Sequence, residues 1–356
     1  MLSIALWHAA LPFADGIGFG GQDVTSNEAF GVGAWVTMGF TLRVFLVLAG
    51  FFGRFVFERI GLVAFVRARL FRIGVPFLVG VPVVSVVFGY SWLVPYHLWF
   101  LEYLFIISVV FALAVPVLRR ALVPWRSGID RLFRAAVRSW WGPLALAIPT
   151  AVAVRWMGGW EEMGDVVESP TTTFVPDLVV LSYHAGFYAF GWLLHRNRDV
   201  LPALSRNGVA FVVVGIALRG AAAWVKFFSD VPEEIATLAI QLLSAGFTWL
   251  MVLGLIGVCE RTFVEDAFWL RYVADASFWC YLVHPIPLHW IHLATDQVYA
   301  PALLKYAGTV TALLAVLFAS YAWFARYSIV GEVLHGPRQR ASAGRAARWW
   351  RAGADA

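Results

Sequence analysis

The chain has 356 residues, 61% of them hydrophobic and 14% charged, with a formal charge of +5 and a mean hydropathy of +0.74. Water-soluble domains are typically about 45–50% apolar and 25% charged, which excludes a single soluble core under a polar coat and leaves a bilayer as the fitting solvent. The basic residues fall in short clusters between apolar runs, not along one face or tail, so nucleic acid is excluded as a partner.

Ten apolar segments follow in chain order, at 1–14, 36–57, 73–93, 97–118, 140–157, 175–194, 207–224, 236–257, 276–296 and 303–325. Most reach the roughly 17–25 residues that cross a bilayer as helix. Backbone groups in lipid must bond internally, so helices are required. The first segment is short and reads as the outer part of a truncated span. The expected fold is all-α, a polytopic integral membrane bundle of about ten transmembrane helices. Residues 1–335 form the membrane domain and 336–356 a basic tail, a candidate for contact with anionic membrane lipids.

Charge orients the spans. Arginines number four in 58–72, six in 119–138, three in 195–206, two in 258–275 and six from 326 onward. The alternate segments 15–35, 158–174 and 226–235 carry acidic residues from Asp15 to Glu234, with Lys226 as their one basic residue. By the positive-inside rule the arginine-rich set and both termini are cytoplasmic. The Gly-rich stretch from Asp15 to Gly21 and the 158–174 segment read as irregular outer loops, the latter unstructured or lid-like.

Titratable residues at membrane depth face a protein interior, a cavity or a relay. At 1.5 Å rise per residue, His8 lies about 9 Å below the outer surface, Arg43 roughly 10 Å and Glu102 about 7–8 Å, which puts three groups in one layer. An imidazole titrating near neutrality suits His8 to general-base work on a hydroxyl. Arg43 is a candidate for holding an anionic group or balancing Glu102, and Glu102 for orienting a histidine or pairing with that arginine. A structural polar network explains the same residues. His97 and His284 are candidate pocket residues, His284 beside Pro285, whose ring frees a backbone carbonyl. His184 and Arg219 are weaker cases, and His289 and His292 are candidate vestibule residues. The eight histidines lack ligand-pair spacing, so no metal is expected. Cys259 and Cys280 read as packing thiols. Arg69 and Arg72, three apart, would share a helical face that suits a phosphorylated donor, although charge anchoring accounts for them equally well.

Five stretches follow one another along the chain: Leu6-Trp-His8-Ala-Ala, Phe45-Leu-Val-Leu-Ala-Gly-Phe-Phe52, Arg69-Leu-Phe-Arg72-Ile-Gly-Val-Pro76, His97-Leu-Trp-Phe-Leu-Glu-Tyr-Leu104 and Ala276-Ser-Phe-Trp-Cys-Tyr-Leu-Val-His284-Pro. In this order they resemble the membrane acyltransferase-3 family, nearest its glucan-modifying branch. The resemblance implies an enzyme of the bacterial inner membrane that moves an acetyl or succinyl group from cytoplasmic acyl-CoA to a hydroxyl of an extracytoplasmic glucan or other envelope carbohydrate. No permanently bound cofactor is implied, and envelope glycan-synthesis proteins are candidate partners. It carries catalysis onto His8, activity and donor binding onto Arg69 and Arg72, and a recurrent polar position onto His284. The competing reading is a secondary transporter or exporter of an envelope sugar or lipid-linked intermediate, for which Gly- and Pro-interrupted helices and mid-membrane His and Arg speak. Symmetry between the two halves, which would favour it, is absent from the sequence.

Overall fold

The computed structural model describes residues 1–14, 23–157, 170–263 and 268–335. Their regular structure is helical throughout, with no strand among the described residues. In chain order the α-helices are α1 Leu2–Ala10, α2 Glu28–Met38, α3 Thr41–Arg69, α4 Val75–Val87, α5 Trp99–Ala121, α6 Arg126–Arg138 and α7 Gly142–Arg155. They continue as α8 Leu178–Arg196, α9 Leu201–Phe228, α10 Glu233–Thr262, α11 Phe268–Val283, α12 Pro285–Thr295, α13 Ala302–Ser320 and α14 Ile329–His335. The Gly-rich stretch 15–21 and residues 158–169, expected as irregular loops, and the tail expected at 336–356 lie outside the described residues.

Among the described residues, five helical runs are long and apolar enough to cross a membrane: Glu28–Val87, Tyr96–Leu118, Arg198–Phe228, Glu233–Thr262 and Ala302–Ala325. Large apolar side chains on them face outward, as at Val79 and Val86 of α4 and Val213 and Ile216 of α9. A row of this kind is unfavourable in water and fits lipid. This is a helical membrane protein.

The first of those runs is 60 residues long, about 90 Å of helix, far more than one crossing of a hydrocarbon layer near 30 Å. It contains the expected segment 36–57 and most of the segment expected at 73–93, whose last residues lie beyond the helix end at Val87. The arginine-bearing stretch between them, expected as a loop, stays helical and is broken only locally. Gly61 takes φ 76°, ψ 179°, a left-handed φ that glycine alone adopts cheaply. A π turn, Leu70–Gly74, follows Arg69. The second arginine-rich stretch is also largely helix. In α6 the apolar residues Ile129, Phe133 and Val137 recur every four positions, with arginines between them.

The chain divides into two compact units. The first comprises 1–34, 60–105 and 267–356. Its core joins Ala5 and Ala9 of α1 to Ala276 and Cys280 of α11, Leu288 of α12, and Leu313 and Leu317 of α13. Four of these are small side chains, which lets α1 and α11 approach closely in a setting where packing replaces the hydrophobic effect. A buried ion pair adds a tie at the loop: Lys305 Nζ lies 2.6 Å from Asp23 Oδ2 and donates to Oδ1 at 2.7 Å and to the Val298 carbonyl at 2.8 Å.

The second unit comprises 35–59 and 106–266. Glycines set its helix crossings. A Cβ on Gly50 would lie 2.0 Å from the Tyr188 carbonyl oxygen, and one on Gly191 would lie 1.9 Å from that of Val47, so α3 and α8 meet backbone to backbone. Between α9 and α10, a Cβ on Gly257 would fall 2.1 Å from the Leu204 carbonyl oxygen. At the arginine-rich end, Asp130 of α6 pairs with Arg196, and Asp199 with Arg138 at 2.9 Å and Arg134 at 3.2 Å. The Asp177 side chain caps α8 by accepting from the Val179 and Val180 amides at 2.8 and 2.9 Å.

Candidate active site

In the first unit, His8, His97 and His284 converge from α1, the Tyr96–Leu98 turn and the junction of α11 with α12. His8 is half-buried on a helix that ends in a Pro-containing 3₁₀ turn, Leu11–Phe13. His284 is fully buried and interrupts the helix because Pro285 and Pro287 follow it. The ring nitrogens His284 Nε2 and His8 Nδ1 are 3.0 Å apart, and the His97 and His284 ring centres are separated by 5.2 Å.

The partners fix the proton positions. His284 Nδ1 lies 2.8 Å from the Tyr281 carbonyl oxygen, which only accepts, so Nδ1 carries the hydrogen and donates. Neutral His284 then presents Nε2 as an acceptor. His8 Nδ1, 3.0 Å from it and 3.0 Å from the Ile4 carbonyl, must therefore donate. The remaining nitrogen, His8 Nε2, is an unprotonated acceptor with no hydrogen-bond partner among the described residues. A carbonyl–imidazole–imidazole relay thus leaves a basic nitrogen ready to take a proton, and both acceptors on Nδ1 stabilise the imidazolium that results.

His97 is built into the same cluster. Its Nε2 donates to the Leu282 carbonyl at 3.2 Å, and its backbone carbonyl accepts the Tyr281 hydroxyl at 2.5 Å. Its buried Nδ1 has no hydrogen-bond partner among the described residues. Tyr96, just before it, has φ 47°, the one positive value at a non-glycine among the described residues. Strained backbone of this sort is held only where surrounding contacts over-determine it. Glu102 lies in the first turn of α5, and its buried Oε2 lacks a hydrogen-bond partner among the described residues. Tyr281 joins α11 to His97 and was not singled out from the sequence, where its only signal is a position three residues before His284.

The other expected residues have partners of their own. Arg43 belongs to the second unit, where its Nε donates to the Tyr183 hydroxyl at 3.1 Å and an Nη to the Met38 carbonyl at 2.8 Å. His184 Nδ1 donates to the Val180 carbonyl at 2.7 Å. In the first unit, His289 packs on Phe88 and His292 near Phe13. Arg69 lies 4.7 Å over the Phe65 ring, and Arg72 sits inside the π turn. Cys280 is buried in the core and Cys259 exposed, both as free thiols.

A family profile described as an acyltransferase domain matches residues 1–325 of the chain. Neither the curated proteins nor the solved structures include a match to it.

Proposed function

The chain belongs to the acyltransferase-3 family, and we propose that it moves an acetyl or succinyl group from a cytoplasmic acyl-CoA to a hydroxyl of an extracytoplasmic glucan or other envelope carbohydrate. As a membrane acyltransferase it needs a base to activate the acceptor, and the relay ending at His8 Nε2 is the observation that carries this reading. His8 takes the proton of the acceptor hydroxyl while the oxygen attacks the thioester carbonyl. The C–S bond breaks, the ester forms, and the thiolate recovers the proton from His8. His284 acts as a positioning residue through His8 Nδ1.

In this reading the bundle spans the bacterial inner membrane about ten times with both termini inside. His8 serves the outer side, and Arg69 and Arg72 hold donor phosphates on the inner side. The acyl arm then threads toward His8. Among the described residues no hydrogen bond joins a Ser hydroxyl or a Cys thiol to the three histidines, which favours direct attack over a covalent relay. His8→Ala should reduce transfer of labelled acyl groups by about 10²- to 10⁴-fold, the usual contribution of a general base, at unchanged membrane abundance. Undiminished turnover in that variant would remove His8 from the mechanism.

A further inference from the structure

In the second unit, α6 carries more apolar surface than the protein covers. Phe133 and Val137 turn inward and are buried. A second apolar strip beside them stays uncovered: Trp125, just before the helix, and Leu132 are 69% and 72% exposed. Between them runs an open groove of about 490 Å³, with Pro124, Trp125, Gly128 and Leu132 on its apolar side and Ser127 and Arg131 on its polar edge. A Cβ on Gly128 would meet no heavy atom within 4 Å, so no protein neighbour requires this poor helix former, whose bare backbone keeps the groove open.

Charge gives the groove a sign. The acidic residues near it are already paired, Asp130 with Arg196, and Asp199 with Arg134 and Arg138. No acidic residue lines the groove, and among the described residues the Arg131 and Ser127 side chains have no ion-pair or hydrogen-bond partner. Arg131 and Ser127 are four apart and share one face of α6. The helix begins shortly after the membrane-crossing run Tyr96–Leu118 ends, and exposed Trp140 and Trp141 follow it. Tryptophans at both ends are the mark of a helix lying at a membrane surface.

We propose that this groove holds an anionic phospholipid, with the phosphate at Arg131 and Ser127 and one acyl chain lying over Gly128 between Trp125 and Leu132. A guanidinium offers a phosphate two parallel donors and the serine hydroxyl offers a third. The chain covers an apolar strip that is unfavourable in water. The glycerol and the first part of that chain occupy the groove, and the rest of the lipid stays in the bilayer. A choline lipid would cover the strip equally well but would bring its own cation toward Arg131. The site stands on its own residues and does not depend on the role given to His8.

The test places the purified full chain in phosphatidylcholine liposomes with a trace of a phospholipid whose acyl chain is photoreactive, either phosphatidylglycerol or phosphatidylcholine, and maps the labelled peptide. Labelling within residues 124–135 should be about fivefold greater from the phosphatidylglycerol probe, the effect of one basic side chain at an anionic surface. Arg131→Gln should remove that preference, and Arg131→Lys should keep part of it. Gly128→Leu fills the groove without a clash and should lower labelling by both probes. Inorganic phosphate at constant ionic strength should displace nothing. Equal labelling by the two probes, an absence of label in 124–135, a preference that survives in Arg131→Gln, or displacement by inorganic phosphate would overturn the proposal. Both positions are exposed, so the variants should unfold at the wild-type midpoint. The comparison of the two probes on the wild type decides the matter even if a variant fails to fold.

Discussion

Replacement of His284 tests the imidazole relay at its buried end. His284 Nε2 accepts from His8 Nδ1 at 3.0 Å while its own Nδ1 donates to the Tyr281 carbonyl at 2.8 Å. During transfer His8 becomes an imidazolium, and the bond to His284 becomes one from a charged donor. Such bonds are worth about 1.5–3 kcal/mol, and each 1.36 kcal/mol corresponds to a tenfold change in rate. His284→Ala should therefore lower kcat by roughly 10- to 150-fold, with KM for both substrates little changed because the lost bond acts on the transition state. His284→Gln keeps an amide oxygen able to accept from His8 Nδ1 and should recover part of the loss. The assay is the initial rate of ester formation from labelled acyl-CoA by reconstituted full-length protein, normalised to folded enzyme. A kcat within twofold of wild type in His284→Ala, or a Gln variant no better than Ala at equal folding, would refute the positioning role.

The remaining predictions concern donor binding and stability. Arg69→Ala and Arg72→Ala should each raise KM for acyl-CoA by roughly 10-fold or more at near-constant kcat, the pattern for loss of a charge-assisted phosphate bond, measured by donor titration. Lys305→Met leaves the Asp23 carboxylate buried and unpaired and should cost about 3–5 kcal/mol in denaturant unfolding, with Asp23→Asn restoring much of it in the double variant. Burial alone would raise the Asp23 carboxyl, but hydrogen bonds from Lys305 and Thr25 outweigh it and hold the group below its ordinary value. The pair's stabilisation is accordingly complete above the usual aspartate value near pH 4 and lost as pH falls below it through the lowered folded-state value, a loss that the double variant should not show. Gly191→Ala forces a Cβ to within 1.9 Å of the Val47 carbonyl oxygen and should destabilise by about 1–3 kcal/mol, read as a lower thermal midpoint.

The apolar segments were legible because lipid demands long apolar runs, and each overlaps helix in the described residues, of which five runs are long and apolar enough to cross a membrane. What the sequence obscured was the structure of charged stretches. Arginines at 59, 67, 69 and 72 mark contact with water, yet they do not end a helix, and only Gly61 and the π turn interrupt it. The helix at Arg126–Arg138 was detectable from the four-residue recurrence of Ile129, Phe133 and Val137. The candidate site was partly legible. His8, His97 and His284 each stand out as polar residues in apolar surroundings, but 276 positions separate the bonded pair, and no spacing rule joins them. Tyr281 was missed since a tyrosine in a membrane helix is ordinary until its partners are known. Arg43, grouped with His8 and Glu102 by depth arithmetic, has its bonds to Tyr183 and Met38 in the second unit, a choice of neighbours that depth alone does not specify.

The most direct measurement encloses labelled acyl-CoA in liposomes bearing the purified protein, with envelope glucan added outside, and follows ester-linked label on the outer glycan for wild type and His8→Ala. Acyl transfer across the bundle by the His8 base requires outer label that grows with time in wild type and falls by at least about 100-fold in the variant. Equal labelling by both proteins, or unmodified sugar crossing the liposome without ester formation, would contradict it.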